Sequence, residues 1–132
     1  MPSEYHHVDA KGIPWQPLPA RGNSVKILSR QPHGGGTVAL FRTESGYEIP
    51  AHRHGQATSY FIVSGSLHAA DGTFFPTGSY VRIPAFLRHG PYRAEGEMVA
   101  IAWFASDPTF FFDDGSVVFF TPDGLRAGTI RM

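Results

Sequence analysis

The chain has 132 residues, about the length of one domain, and 42% of them are hydrophobic while only 17% are charged. This composition excludes an intrinsically disordered chain, because such chains combine low hydrophobicity with high net charge. Eleven Lys and Arg residues balance eleven Asp and Glu residues, so no global positive field attracts a phosphate backbone. We therefore expect one globular domain over residues 1–132 and no nucleic-acid partner.

The sequence contains no cysteine. This excludes disulfides, thiolate metal ligands and a cysteine nucleophile, and leaves His, Asp and Glu as the residues that can hold a metal. The N-terminus lacks a basic region followed by an apolar run, and no stretch approaches the roughly 18 apolar residues that span a bilayer. We expect a cytoplasmic protein with no membrane partner.

Turn-forming residues interrupt the chain throughout, with 15 glycines and 11 prolines. The first 23 residues contain four of these prolines and predict an N-terminal arm, anchored by Trp15 and Leu18. Short runs rich in β-branched and aromatic residues follow, and they predict strands at 24–28, 37–43, 58–63, 79–83, 98–104 and 117–120. The aromatic residues 110–112 precede an Asp-Asp-Gly turn and predict a packed hairpin. The expected fold class is all-β, a sandwich or small barrel.

The segment 46–54 reads GYEIPAHRH and contains two histidines two residues apart. On a strand, this spacing places the side chains of His52 and His54 on one face, about 7 Å apart at the backbone. A second block, 78–89, also begins with glycine, continues through a strand and a proline, and ends at His89. The three imidazoles can converge on one metal ion. Surface or hydrogen-bonded core positions are expected for the other histidines, His6, His7, His33 and His68.

These two blocks resemble the two sequence motifs of the cupin superfamily. The first motif runs glycine, five residues, His-x-His, three or four residues, glutamate, six residues and glycine, and it is matched by Gly46, His52, His54 and Gly65. The second motif is matched by Gly78, Pro84 and His89. The resemblance covers residues 37–104, with Gly65 closing the strand that follows the His pair. It implies a cupin-type double-stranded β-helix, which is a jelly-roll barrel.

The sequence departs from the family pattern at two positions. The glutamate position falls on Thr58, or on Ser59 if the gap is four residues, and neither residue replaces a carboxylate. Phe86 stands where the second motif has a glycine, which leaves the geometry of the turn before His89 open. Three neutral imidazoles leave a divalent ion with its full double charge, so its open positions favour an anionic ligand.

Among cupins, this three-histidine set resembles that of the dioxygenases that cleave carbon–carbon bonds in β-diketones and hydroxyacetophenones. The overall layout, a Trp-Pro arm ahead of one cupin unit and an aromatic tail with an Asp-Gly turn, is similar to the 2,4'-dihydroxyacetophenone dioxygenase-like group. The resemblance implies a dioxygenase that uses Fe²⁺ to cleave a carbon–carbon bond of a small enolisable or phenolic ketone, bound as an anion. Imidazole ligands also suit Zn²⁺, Ni²⁺ and Cu²⁺. The alternative is a non-catalytic, sensory cupin that binds a metal and a small ligand. A sugar isomerase ranks last, because it usually needs a carboxylate base that the motif lacks.

Several residues near the motifs are candidates for the cavity wall. Thr58 and Tyr60 share one face of their strand, and Trp103 can contribute an aromatic surface. Arg82 can hold a substrate carboxylate, whereas Arg53 alternates with the two histidines and should face outward. Glu48 shares parity with the histidine pair and can approach the metal. The exposed edges of a small β-sandwich favour a homodimer.

Overall fold

A computed structural model describes residues 5–31, 36–121 and 124–129, which are almost entirely β-strand; His33 lies outside these residues. A 3-10 turn at Ala10–Gly12 precedes the strands. The strands are β1 (Gln16–Pro17), β2 (Asn23–Gln31), β3 (Gly36–Thr43), β4 (Glu48–Ile49), β5 (His52–His54), β6 (Thr58–Ala69), β7 (Phe74–Phe75), β8 (Tyr80–Ile83), β9 (Tyr92–Phe104), β10 (Thr109–Phe112), β11 (Ser116–Thr121) and β12 (Gly124–Thr129). None of the helical segments in these ranges is long and apolar enough to cross a bilayer.

The strands form two antiparallel sheets. The larger sheet has the order β1-β2-β3-β9-β6-β7, with β4 also paired to β9 and β8 to β6, and the smaller has the order β12-β11-β10-β5. The sheets face one another, because Val25 and Ala39 of the larger sheet share one buried cluster with Phe110 and Phe120 of the smaller. The predicted all-β jelly-roll fold is confirmed.

Each of the six runs expected to be strands lies largely within an observed strand, but β6 and β9 are longer than the sequence indicated. The expectation that Gly65 closes its strand is wrong, since β6 continues to Ala69. Gly65 sits instead at an irregularity in the pairing of β6 with β9 and has a φ of 68°. A Cβ at this position would collide with the backbone carbonyl of Glu97. The glycine therefore allows two long strands to stay paired through a close approach.

The described part of the N-terminal arm, residues 5–23, lies against the larger sheet. β1 pairs with the start of β2, and the Trp15 ring lies 4.7 Å from the Lys26 ammonium and 4.5 Å from the Arg42 guanidinium. The Lys26 Nζ also donates a hydrogen bond of 2.7 Å to the carbonyl of Ala10. These cation–π and polar contacts hold the arm beside the sheet, as the anchoring role of Trp15 requires. The arm then turns at Leu18 toward the space between the sheets, where Leu18 packs on the core.

Candidate metal centre

Strand β5 presents two of the three motif histidines to the interior. His52 and His54 are buried and Arg53 between them is exposed, as strand alternation requires. His89 follows β8 and reaches the same place through a backbone bridge, in which His52 and His89 exchange two hydrogen bonds of 3.0 Å. The three imidazole rings consequently converge, with centroids between 4.3 and 4.8 Å apart.

The Nε2 atoms of the three rings lie close together and surround one point. His54 Nε2 lies 2.9 Å from His52 Nε2 and 3.3 Å from His89 Nε2. Two nitrogens bound to one ion at about 2.1 Å, with an angle of roughly 90° to 110° between the bonds, are separated by about 3.0 to 3.4 Å. The spacing of the donor atoms therefore fits a shared divalent ion. His52, His54 and His89 are the residues that can hold it.

Hydrogen bonds on the opposite sides of two rings favour this arrangement. The Nδ1 of His52 lies 2.7 Å from the carbonyl oxygen of Pro50, which only accepts, so this nitrogen carries the proton and Nε2 keeps its lone pair. The Nδ1 of His89 lies 2.7 Å from the hydroxyl of Tyr92. Such partners orient metal-binding imidazoles. The Nδ1 of His54 is buried and makes no hydrogen bond within the described residues.

All three histidines are held neutral. Burial, together with charge repulsion from the neighbouring His52 and His89, lowers the pKa of His54 to about 2. Burial, followed by the influence of His52, lowers the pKa of His89 to about 3. Burial also lowers the pKa of His52, against the opposing effect of its bond to Pro50. Neutral imidazole is the form that binds a metal, so protons compete little for this site at pH 7.

The three histidines form part of the wall of a cavity of about 120 Å³ between the sheets. Most of the remaining wall is apolar, and it includes Leu18, Phe41, Met98, Phe104, Phe110 and Phe112. Among the described residues, no Lys, Arg, Asp or Glu lines the cavity. The cavity therefore suits a small ligand with a carbon body and one polar end, held at the histidines.

Comparison with known proteins agrees with this fold. Residues 3–107 match the family described as the ChrR cupin-like domain. The chain belongs to this cupin family. No curated protein matches the sequence.

Solved structures with a similar fold include the following three. A putative acetylacetone dioxygenase from Methylibium petroleiphilum is 22% identical, with a TM-score of 0.66 over 97% of this chain and 87% of that one. An acetylacetone dioxygenase from Acinetobacter johnsonii is 19% identical, with a TM-score of 0.64 over 97% and 83% of the two chains. The complex of Rhodobacter sphaeroides SigE with the anti-sigma ChrR is 19% identical, with a TM-score of 0.60 over 73% and 51%. At these identities the likeness shows the fold alone.

The sequence departs from the cupin motif at Thr58 and at Phe86, and the structure shows where both residues lie. Thr58 is 3% exposed and lines the cavity, whereas its neighbour Ser59 lies on the other face of β6. Because residue 58 is a threonine, no carboxylate occupies this inward-facing position. The Thr58 hydroxyl donates to the Gln56 carbonyl at 3.3 Å. Phe86 has a φ of 65° and is 61% exposed. The turn before His89 thus keeps the left-handed conformation that glycine adopts freely, at a cost in strain.

Three residues that the sequence placed at the cavity wall lie elsewhere in the structure. Arg82 and Trp103 both lie opposite Ser59 on neighbouring strands, so their side chains share the outer face of the sheet, where both are exposed. Glu48 is half-exposed and its carboxylate lies 3.9 Å from Arg93 on β9. Pro50 separates the short strand of Glu48 from β5, so shared parity with the histidines does not carry through. Tyr60, by contrast, lines the cavity as expected.

Sequence reasoning did not assign three residues of the site to it. Tyr92 binds the Nδ1 of His89, and Phe110 and Phe112 pair with β5 and pack on its histidine rings. The position of Tyr92, three residues after His89, offered a weak hint of this contact. The pairing of β10 with β5 joins segments more than 50 residues apart, which no local pattern reveals.

Proposed function

We propose that this cupin is an iron-dependent dioxygenase that cleaves a carbon–carbon bond of a small enolisable or phenolic ketone. The observation that carries the proposal is a three-histidine donor set, with no carboxylate, facing a small apolar cavity. The acetylacetone dioxygenases with the same fold support it.

Charge balance favours an enolate or phenolate as the ligand. Three neutral imidazoles leave the full double charge of a divalent ion, and a monoanion cancels half of it. A ligand with a second charged group, such as a sugar phosphate or a dicarboxylate, would bury that charge in a wall where no described residue is cationic. The apolar lining, including Phe41 and Phe104, instead suits the carbon skeleton of a ketone.

Oxidative cleavage is balanced without a further reactant. One atom of O₂ enters each of the two fragments, so O₂ is the only oxidant and no reductant is consumed. A ferrous ion at the site supplies the Lewis-acid and electron-transfer chemistry. The chain itself contributes the orientation of His52 through Pro50 and of His89 through Tyr92, and the rings of Phe110 and Phe112 exclude water beside the histidines.

A sensory cupin is the second candidate, and the family match favours it. The matched family is described by the ChrR domain, and the structure of ChrR is a complex in which that protein is an anti-sigma factor. In this alternative the same histidines hold a metal, with Zn²⁺ suited to a structural role. The cavity then binds a small molecule without converting it.

Oxygen uptake separates the two candidates. Protein purified without chelators is analysed for metals, loaded anaerobically with Fe²⁺, and mixed with acetylacetone or 2-hydroxyacetophenone before O₂ is admitted. The dioxygenase proposal expects one O₂ consumed per ketone cleaved, and no uptake by the His54→Ala variant or by zinc-loaded protein. Tight ketone binding by iron-loaded protein without O₂ uptake contradicts it and supports the sensory alternative.

The homodimer and the cytoplasmic location stay predictions for this cupin. Large apolar side chains on the outer face of the larger sheet, Phe61, Val63, Tyr80 and Trp103, are between 36% and 61% exposed. Sedimentation equilibrium of the purified protein tests the dimer: a monomer across the micromolar range contradicts it.

A further inference from the structure

A second cleft lies beside the cavity that the three histidines line. It has a volume of about 290 Å³ and lies between the N-terminal arm and strands β11 and β12, where Leu125 and Arg126 line it. Three residues line both the cavity and the cleft: Leu18, Pro19 and Val118. They therefore form the partition between the two spaces.

Leu18 is the large apolar side chain that the arm contributes to this partition. It packs on the buried cluster that includes Phe110, whose ring centroid lies 5.1 Å from that of His54. Val118, on the facing strand β11, belongs to the same cluster and is 3% exposed. The Leu18 side chain thus separates the cleft from an apolar wall that continues to the histidines.

The backbone around Leu18 is held in place. Pro17 and Pro19 flank it, and a proline fixes its own φ and restricts the residue before it. The Leu18 amide donates a hydrogen bond of 2.9 Å to the backbone carbonyl of Asn23. The buried side-chain amide of Asn23 donates in turn to the carbonyl of Glu48 on β4, at 2.9 Å. The partition is therefore a fixed wall and not a mobile lid.

The volumes on its two sides make this wall a limit on ligand size. The cavity measures about 120 Å³, well below the range of about 300–1,000 Å³ for most small-molecule pockets. The cavity and the cleft, joined into one space, would fall within that range. An alkyl chain that extends from the histidines toward the arm consequently meets the side chain of Leu18.

We propose that Leu18 is a specificity-determining residue that excludes ligands with long alkyl tails from the three-histidine site. The inference rests on the proposed function, since it narrows the substrate class of that site to ketones with short substituents. A short ligand fits beside the wall, whereas the tail of a longer one must displace Leu18 from the core. Displacement removes Leu18 from its apolar neighbours, which offsets the gain from burying the extra methylenes.

Alkyl hydroxamates test this limit independently of the dioxygenase reaction, because their two oxygens chelate a metal ion whatever the alkyl group. Visible absorbance of Co²⁺-loaded protein measures the dissociation constants of acetohydroxamate and of its longer homologue hexanohydroxamate. Leu18→Ala opens the partition. Leu125→Ala is the matched control, since Leu125 packs on the same buried cluster but lines the cleft only.

Leu18→Ala should tighten hexanohydroxamate relative to acetohydroxamate by at least about tenfold, because each buried methylene strengthens binding about fourfold. The dissociation constants of acetohydroxamate and Co²⁺ should stay within about threefold of wild type, less than the effect of one methylene. Leu125→Ala should keep the wild-type ratio of the two hydroxamates. Leu18→Val, for use if Leu18→Ala does not fold, shortens the side chain by one carbon and should shift the ratio about fourfold in the same direction.

An unchanged ratio in the Leu18 variants, or an equal shift in Leu125→Ala, overturns the inference. It is also overturned if Co²⁺-loaded wild type binds neither hydroxamate, or already binds hexanohydroxamate more than about tenfold more tightly than acetohydroxamate, since the tail then has room. If the ratio shifts as expected while iron-loaded protein consumes no O₂ with acetylacetone, the dioxygenase function alone is wrong. O₂ uptake with an unchanged ratio removes only the role of Leu18.

Discussion

The two faces of β6 differ in solvent exposure, although their residues alternate along one strand. Thr58, Tyr60 and Ile62 point inward, where the first two line the cavity and the third is 0% exposed. Phe61 and Val63 point outward and are 36% and 47% exposed. Residues of similar hydrophobicity thus serve a buried site on one face and a solvent-accessible surface on the other. Face, more than residue type, determines which side chains can act at the metal centre.

The largest expected effect is a loss of folding stability at acid pH, caused by the inward-facing histidines and not by surface histidines. Above pH 6.5 the inward histidines are neutral in both the folded and the unfolded chain. Below it the unfolded chain binds protons on His54 and His89, whereas the folded protein does so only near pH 2 and pH 3. The free energy of unfolding of metal-free protein should therefore fall by about 2 kcal/mol for each of the two histidines between pH 7.5 and 5.

Urea unfolding at pH 7.5, 6 and 5 measures this loss. His54→Leu should make the pH dependence shallower. The matched control His68→Ala should retain the full dependence, because His68 is an exposed residue paired with Glu95. A metal-free protein whose stability is constant from pH 7.5 to 5 would contradict the buried, neutral state of the cluster.

Truncating adjacent residues on opposite faces gives the next largest effect. Ile62→Ala leaves a cavity in a fully buried cluster and should lower the free energy of unfolding by about 2 to 4 kcal/mol. Val63→Ala removes methyl groups that are already largely hydrated and should cost less than about 1 kcal/mol. Chemical denaturation of both variants compares them directly, and equal losses would show that β6 has no distinct inner face.

A glutamate introduced at Thr58 or at Ser59 tests which of the two residues occupies the position of the missing cupin glutamate. Thr58→Glu should tighten metal binding by about tenfold and weaken anionic ligands by a similar factor, because it adds a charged donor and cancels one unit of charge. Ser59→Glu is the matched control on the outer face and should change neither affinity. Isothermal titration with Co²⁺ and then acetylacetone measures both. If Thr58→Glu behaves like Ser59→Glu, the side chain at 58 does not reach the ion.

The smallest expected effect concerns the strained turn before His89. Phe86→Gly should raise the free energy of unfolding by about 1 kcal/mol, since a left-handed conformation costs other residues roughly 1 to 2 kcal/mol. The exposed neighbour Leu87 has no positive φ, so Leu87→Gly should only destabilise. Thermal denaturation of the two variants compares them. A loss of stability in Phe86→Gly would show that the packing of Phe86 on Phe111 outweighs the strain.

The sequence predicted the strands and the three histidines because both depend on local patterns. Alternation within β5 was enough to place His52 and His54 together and Arg53 outside. The same reasoning misplaced Trp103, because residues 98–104 of β9 are apolar on both faces and their pattern does not show which face is inner. Arg82 was misplaced because its parity relative to β5 depends on the pairing of β8 with β6, which only the folded structure establishes.

Metal stoichiometry of single-histidine variants tests the central claim most directly. Cobalt titration, followed by elemental analysis after gel filtration, is applied to wild type, His52→Ala, His54→Ala, His89→Ala and the outer-face control Arg82→Ala. Wild type and Arg82→Ala should bind one equivalent of Co²⁺ with the same affinity, and each histidine variant should bind at least about 100-fold more weakly, because a lost ligand opens the site. Full occupancy with unchanged affinity in all three histidine variants would contradict a metal centre formed by His52, His54 and His89.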